Sequence, residues 1–139
     1  MKSINTSPPA PIDNTSNIRI LLHDKISYNC DITITGPELK EIPHYTRTFY
    51  ADRDFTLCTI NLSIPYTGNH KAYSRSKIVL FLDQEPIFTD MMVSHSDWDL
   101  SNKTMIVNYP FLKKGEHKIY VKAAVDAGRL FMPHFLVGA

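Results

Sequence analysis

The residue types best suited to chemistry in this chain share one short stretch, Ser94-His95-Ser96-Asp97-Trp98-Asp99, which brings hydroxyl, imidazole, carboxylate and indole groups together. Ser, His and Asp serve in nucleophilic and acid–base catalysis, but that chemistry also needs a strand-turn-helix elbow or a Gly-rich oxyanion loop, and neither accompanies them. No catalytic residue is assigned, and an enzyme is not expected. The same stretch suits a second chemistry. Asp97 and Asp99 flank Trp98 and can accept hydrogen bonds from sugar hydroxyls while the indole face stacks on the ring, and Tyr73 offers another stacking surface. The plainer reading makes Trp98 a core side chain with solvated neighbours.

Other candidate chemistry is thinner. His23, His44, His70, His95, His117 and His134 are dispersed, with no HxH or HExxH pair to set two ligands on one face, so no metal site is expected. Cys30 and Cys58 lie far apart without CxxC spacing and read as buried thiols. A disulfide between them would require neighbouring strands of suitable geometry. Asn5, Asn14, Asn61 and Asn102 each begin an N-glycosylation sequon, but the N-terminal residues contain no apolar signal-peptide core that would route the chain to secretion. No Walker loop, dinucleotide fingerprint or basic-aromatic strand platform is present, so no cofactor is expected.

The elements that position these residues show period two. Ile18, Ile20 and Leu22 alternate, as do Cys30, Ile32 and Ile34, and each run reads as a half-buried strand. A strand over Tyr45 to Tyr50 follows Pro43, and a longer one carries Cys58, Ile60, Leu62 and Ile64 on one face until Pro65 ends it. The unbroken run Ile78-Val79-Leu80-Phe81-Leu82 reads as a strand covered on both faces. Asp83-Gln84-Glu85-Pro86 then turns it into a short Ile87-Phe88 return. Residues Tyr66 to Lys71 and Met91 to Asp97 read as exposed loops. Trp98-Leu100 and Met105 to Tyr109 read as strand-like regions, with a turn or bulge at Ser101-Asn102-Lys103. Gly115 opens the clearest strand, with Ile119, Val121, Ala123 and Val125 on one face, and Asp126-Ala127-Gly128 turns the chain into an uncharged ending. Tyr120 and Ala124 on the reverse face, with Phe131 and Phe135 in that ending, are candidate subunit contacts.

These signals give an all-β chain, an antiparallel β-sandwich of jelly-roll type with a short extended N-terminal arm. Residues 1–15 form the Pro-rich arm and residues 16–139 the sandwich. A chain of 139 residues suits one such domain. Its net charge of +1, with 15 basic against 14 acidic residues, gives no one-signed field for nucleic acid or anionic lipid. No run approaches a membrane span, so a soluble chain without membrane insertion is expected.

The stretch Ser76 to Asp83, followed by Leu112-Lys113-Lys114-Gly115-Glu116-His117 leading into Ile119-Tyr120-Val121, resembles the complement- and tumour-necrosis-factor-like jelly rolls found on phage tails and virions. There a strand, an L-D-G turn and a return strand precede an L-x-x-G-x-H turn. Gln84 stands in place of the usual glycine, and the resemblance spans about residues 75–125. It implies a homotrimer, a non-enzymatic structural or receptor-contact component of a virion or tail, attached to a larger assembly through its arm and meeting a protein or glycan receptor through its loops. A carbohydrate-binding, lectin-like module is the alternative.

Overall fold

The computed structural model describes residues 19–26, 28 and 30–132; the side chains at positions 65, 66 and 99 also lie outside the description. The chain forms an all-antiparallel, two-sheet, partly curled β-fold. In chain order the strands are β1 (Ile32–Thr35), β2 (Lys40–Glu41), β3 (Arg47–Ala51), β4 (Cys58–Asn69), β5 (Arg75–Leu82), β6 (Glu85–Val93), β7 (Asp99–Tyr109), β8 (Gly115–Val125) and β9 (Arg129–Met132). One sheet has the order β1-β9-β4-β7. The other has β2-β8-β5-β6, with β3 pairing along the same edge of β8 as β2. The pairs nest: β5 with β6, β4 with β7, β2 and β3 with β8, and β1 with β9. Each step outward from the β5–β6 hairpin changes sheet.

Alternating apolar residues build the core between the sheets. Ile32, Ile34, Ile64, Met105, Leu130 and Met132 face it from one side, and Ile78, Leu80, Val121, Ala123 and Val125 from the other. Each fully buried Ile, Leu or Met among them contributes about 1.5–3 kcal/mol relative to exposure. Ala51, Leu82 and Leu112 form a smaller cluster with Phe55, Cys58 and Leu21, where Phe55 and Leu112 exchange backbone hydrogen bonds of 2.8 Å. The gap between edge strands β6 and β7 is bridged by Lys103 Nζ and Asp90 Oδ2 at 3.3 Å.

The run Ile78 to Leu82 is covered on both faces, as its composition implied. Ile78, Leu80 and Leu82 face the core, while Val79 on the outer face is only 3% exposed. Beside it Phe81 and Tyr120 stack with centroids 5.1 Å apart, and the ammonium groups of Lys118 and Lys122 lie 5.0 and 5.9 Å from the Tyr120 centroid. Aliphatic lysine stems are suited to shielding such a face while the charges stay in water.

Several expectations require correction. Ile20 and Leu22 belong to no strand; they are exposed, because their alternation meets no partner ladder, and Leu21 is the residue that packs inward. Pro65 does not end β4, which passes it through a register irregularity between Ile64 and Thr67 and pairs with β7 as far as Asn69. A bulge accommodates the missing N–H. The return strand is longer than Ile87-Phe88, so the Met91–Asp97 loop contracts to residues 94–98. The two strand-like regions around Ser101 to Lys103 are one strand. Cys30 and Cys58 are free thiols, and Cys30 is exposed. The arm of residues 1–15, Ile18 and Phe135 lie outside the described residues. No described helix is long and apolar enough to cross a membrane.

Candidate functional site at one end of the sandwich

The connections after β1, β4, β6 and β8 meet at one end of the sandwich, where backbone hydrogen bonds tie them together. Val125 N–H donates to the Gly36 carbonyl, Tyr73 N–H to Ser94, Ser94 N–H to Ser74, Trp98 N–H to His70 and His70 N–H to Arg129. Beneath them lies a polar patch of core. Thr67, Asn69, Ser74, Ser76 and Ser94 are the buried polar residues among those described.

Asn69 organises this patch. Its Oδ1 accepts from the N–H groups of Lys71 (2.9 Å) and Arg129 (3.2 Å), while Nδ2 donates to the Ala127 carbonyl (2.9 Å) and to Ser76 Oγ (3.4 Å). All four hydrogen-bonding positions of the amide are filled, which makes the arrangement costly to disturb. Gly128 allows it. At φ +66, a Cβ there would lie 2.5 Å from Asn69 Oδ1 and 2.8 Å from Lys71 Cβ, so only glycine fits both the backbone and the space. Composition marked residues 66–71 as an exposed polar loop, but residues 66–69 are the end of β4, with Thr67 and Asn69 buried, and nothing in the pattern distinguished Asn69 as a bracket.

On this base sit the ligand candidates. Trp98 is 49% exposed, so the core reading of this residue is corrected. Its ring meets Phe131 edge-on at 5.2 Å, His70 at 5.5 Å and the Arg129 guanidinium at 5.4 Å. Tyr73 is 78% exposed on the adjoining loop. Both aromatic residues have positive φ, 60° for Trp98 and 63° for Tyr73, a conformation that bulky side chains resist and that the crossed loop hydrogen bonds hold in place. Asp97 is exposed, and its Oδ1 accepts the Ala72 N–H at 2.9 Å, joining the two loops. Asp99 begins β7 opposite Asn69, with its side chain outside the description. Tyr73, Asp97 and Trp98 therefore share one surface. His70 and Arg129 belong to it too; sequence reasoning missed them because Arg129 is reached only when β9 pairs with β4.

The remaining candidates are placed differently. Tyr120 and Ala124 are 9% and 6% exposed, already covered within the single chain on the outer face of β8. Phe131 packs under Trp98. At the opposite end, His117 is held by two acceptors, Asp83 Oδ2 at 2.9 Å from Nδ1 and the Lys113 carbonyl at 2.6 Å from Nε2. Two acceptors require both ring nitrogens to carry protons. Burial opposes the imidazolium, but the hydrogen bonds to Asp83 and Lys113 and the Asp83 charge outweigh it and raise the pKa above the usual histidine range. No group of three or more His, Cys, Asp or Glu side chains able to hold a metal occurs among the described residues.

No protein-family model, curated protein or solved structure matches the chain.

Proposed function

We propose that the chain is a jelly roll acting as a non-enzymatic receptor-contact module, and that its loop end binds carbohydrate through Trp98. The observation that carries this reading is the exposure of Trp98 on loops fixed by hydrogen bonds. An indole that a core reading would bury is instead presented at the surface, beside Tyr73, Asp97 and Arg129. Aromatic faces with adjacent polar groups stack on sugar rings and accept or donate to their hydroxyls. A platform already held in place loses less entropy when it binds. The jelly-roll assignment is supported by the nested pairing of strands, since rolling one long antiparallel hairpin produces this order.

The test is a glycan array read with the wild type and Trp98→Ala. Binding that disappears in the variant while its unfolding transition remains cooperative supports the reading. Binding that survives in Trp98→Ala, or is never seen, contradicts it.

A second reading, a self-associating structural component of a virion or phage tail, is favoured by the same strand order together with the resemblance over residues 75–125. Trimers in solution are its expected result, with deletion of residues 1–15 separating attachment from folding. A monomer at micromolar concentration, unchanged by that deletion, would remove self-association from the account.

A further inference from the structure

We infer that the sugar taken by this end of the sandwich is acidic, with Arg129 receiving its carboxylate. This inference rests on the carbohydrate reading above and specifies its ligand.

Arg129 stands apart among the described arginines by a buried guanidinium nitrogen without a hydrogen-bond partner. Arg19, Arg47, Arg75 and Lys103 each pair with an aspartate, and Arg75 does so at this same end, with Asp126 at 3.0 Å. Arg129 forms no ion pair among the described residues, and its Nε is buried without a hydrogen-bond partner. Its guanidinium carbon lies 5.4 Å from the Trp98 ring centroid and 5.9 Å from that of Phe131. Contact with both rings holds the guanidinium at this platform, and a guanidinium receives a carboxylate through two parallel hydrogen bonds.

The neighbouring imidazole offers a further donor. His70 lies 5.5 Å from Trp98, and Lys71 follows it in the same connection. Asp126 is paired with Arg75, and Asp97, whose Oδ1 accepts the Ala72 N–H, keeps Oδ2 for sugar hydroxyls. His70 Nδ1 accepts the Arg129 N–H at 3.2 Å, which puts its proton on Nε2 as a further donor. A neutral sugar would stack on Trp98 and leave Arg129 unanswered. A sugar with a carboxylate, such as a terminal sialic acid or a uronic acid, answers both.

The experiment titrates the full chain with matched probes, 3′-sialyllactose against lactose and a glucuronate-containing tetrasaccharide against its carboxyl-reduced form. At least one acidic probe should bind about tenfold or more tightly than its neutral partner, as expected for charge-assisted hydrogen bonds. Arg129→Gln should erase that preference, and Arg129→Lys should recover only part of it, because lysine keeps the charge without the fork. Lys77→Gln, which removes the same charge from the outer face of the other sheet, should leave affinity unchanged. The Arg129 N–H contacts belong to the backbone, so these variants retain them, and Trp98→Ala provides a second reading on the same platform.

The outcomes are separable. Equal binding of acidic and neutral probes, lost in Trp98→Ala but not in Arg129→Gln, overturns the acidic ligand and leaves the carbohydrate reading standing. Binding of neither probe overturns both.

Discussion

Replacing Gly128 by alanine probes the bracket that holds the loop end, and the effect divides into two parts. The first is conformational: at φ +66 an L-residue lies in the left-handed region, at a cost of about 1–2 kcal/mol. The second is steric. The new Cβ would lie 2.5 Å from Asn69 Oδ1, and that amide cannot swing aside freely, because it accepts two backbone N–H groups and donates to Ala127 and Ser76. Displacing it forfeits two or more hydrogen bonds at about 1 kcal/mol each, bringing the expected loss to about 3–4 kcal/mol. Asn69→Ala supplies the control: without the amide, Gly128→Ala keeps its backbone cost and the 2.8 Å approach to Lys71 Cβ but no longer meets Oδ1. Equilibrium urea unfolding of the two single variants and the double variant, with unchanged m-values, should show Gly128→Ala costing about 2 kcal/mol less in the Asn69→Ala background than in the wild type. Equal costs in the two backgrounds would refute the claim that Asn69 is fixed in place.

The remaining expectations concern other parts of the molecule. Because the folded state raises the pKa of His117, its stabilising contribution is fully present below about pH 6.5, the unfolded value, and is lost as pH rises through the higher folded value. Urea midpoints for wild type and His117→Gln should therefore converge as pH increases, and a gap independent of pH would contradict the doubly hydrogen-bonded imidazolium. A double-mutant cycle on Asp90 and Lys103 should return a coupling of about 1 kcal/mol or less, since both side chains retain some solvent contact; no coupling would mean that the pair does not hold the edges of β6 and β7. With an aromatic disulfide reagent Cys30 should react first. Cys58, half-buried and with burial raising its thiol pKa, should follow more slowly, and equal rates would contradict its placement.

Much of the sandwich was legible because burial on one sheet face imposes period two. Cys58 to Ile64 read directly as a half-buried strand, the alternation of Ile119, Val121, Ala123 and Val125 marked the core face of a strand whose reverse face is covered as well, and the unbroken run Ile78 to Leu82 signalled a strand covered on both sides. The failures have equally local causes. Ile20 and Leu22 alternate as strand residues do, but pairing depends on a neighbour that alternation cannot reveal. Pro65 is a strong stop signal that a bulge neutralises, and the turn chemistry around residues 101–103 gives way to a long ladder against β4. The candidate site was half visible. Trp98, Tyr73 and Asp97 stood out by type, whereas Asn69, Gly128 and Arg129 acquire their roles only when four connections from both sheets converge. A bracket of that kind is a long-range property with no local pattern.

The most direct measurement of the central claim is a map of backbone amide shifts in the full chain on titration with 3′-sialyllactose. Saturable shifts confined to residues 70–74, 94–98 and 126–131 are expected, and Trp98→Ala should abolish them. Absence of saturable shifts, or shifts centred instead on residues 83–84 and 113–118 at the opposite end, would contradict the assignment of the Trp98 end as the binding surface.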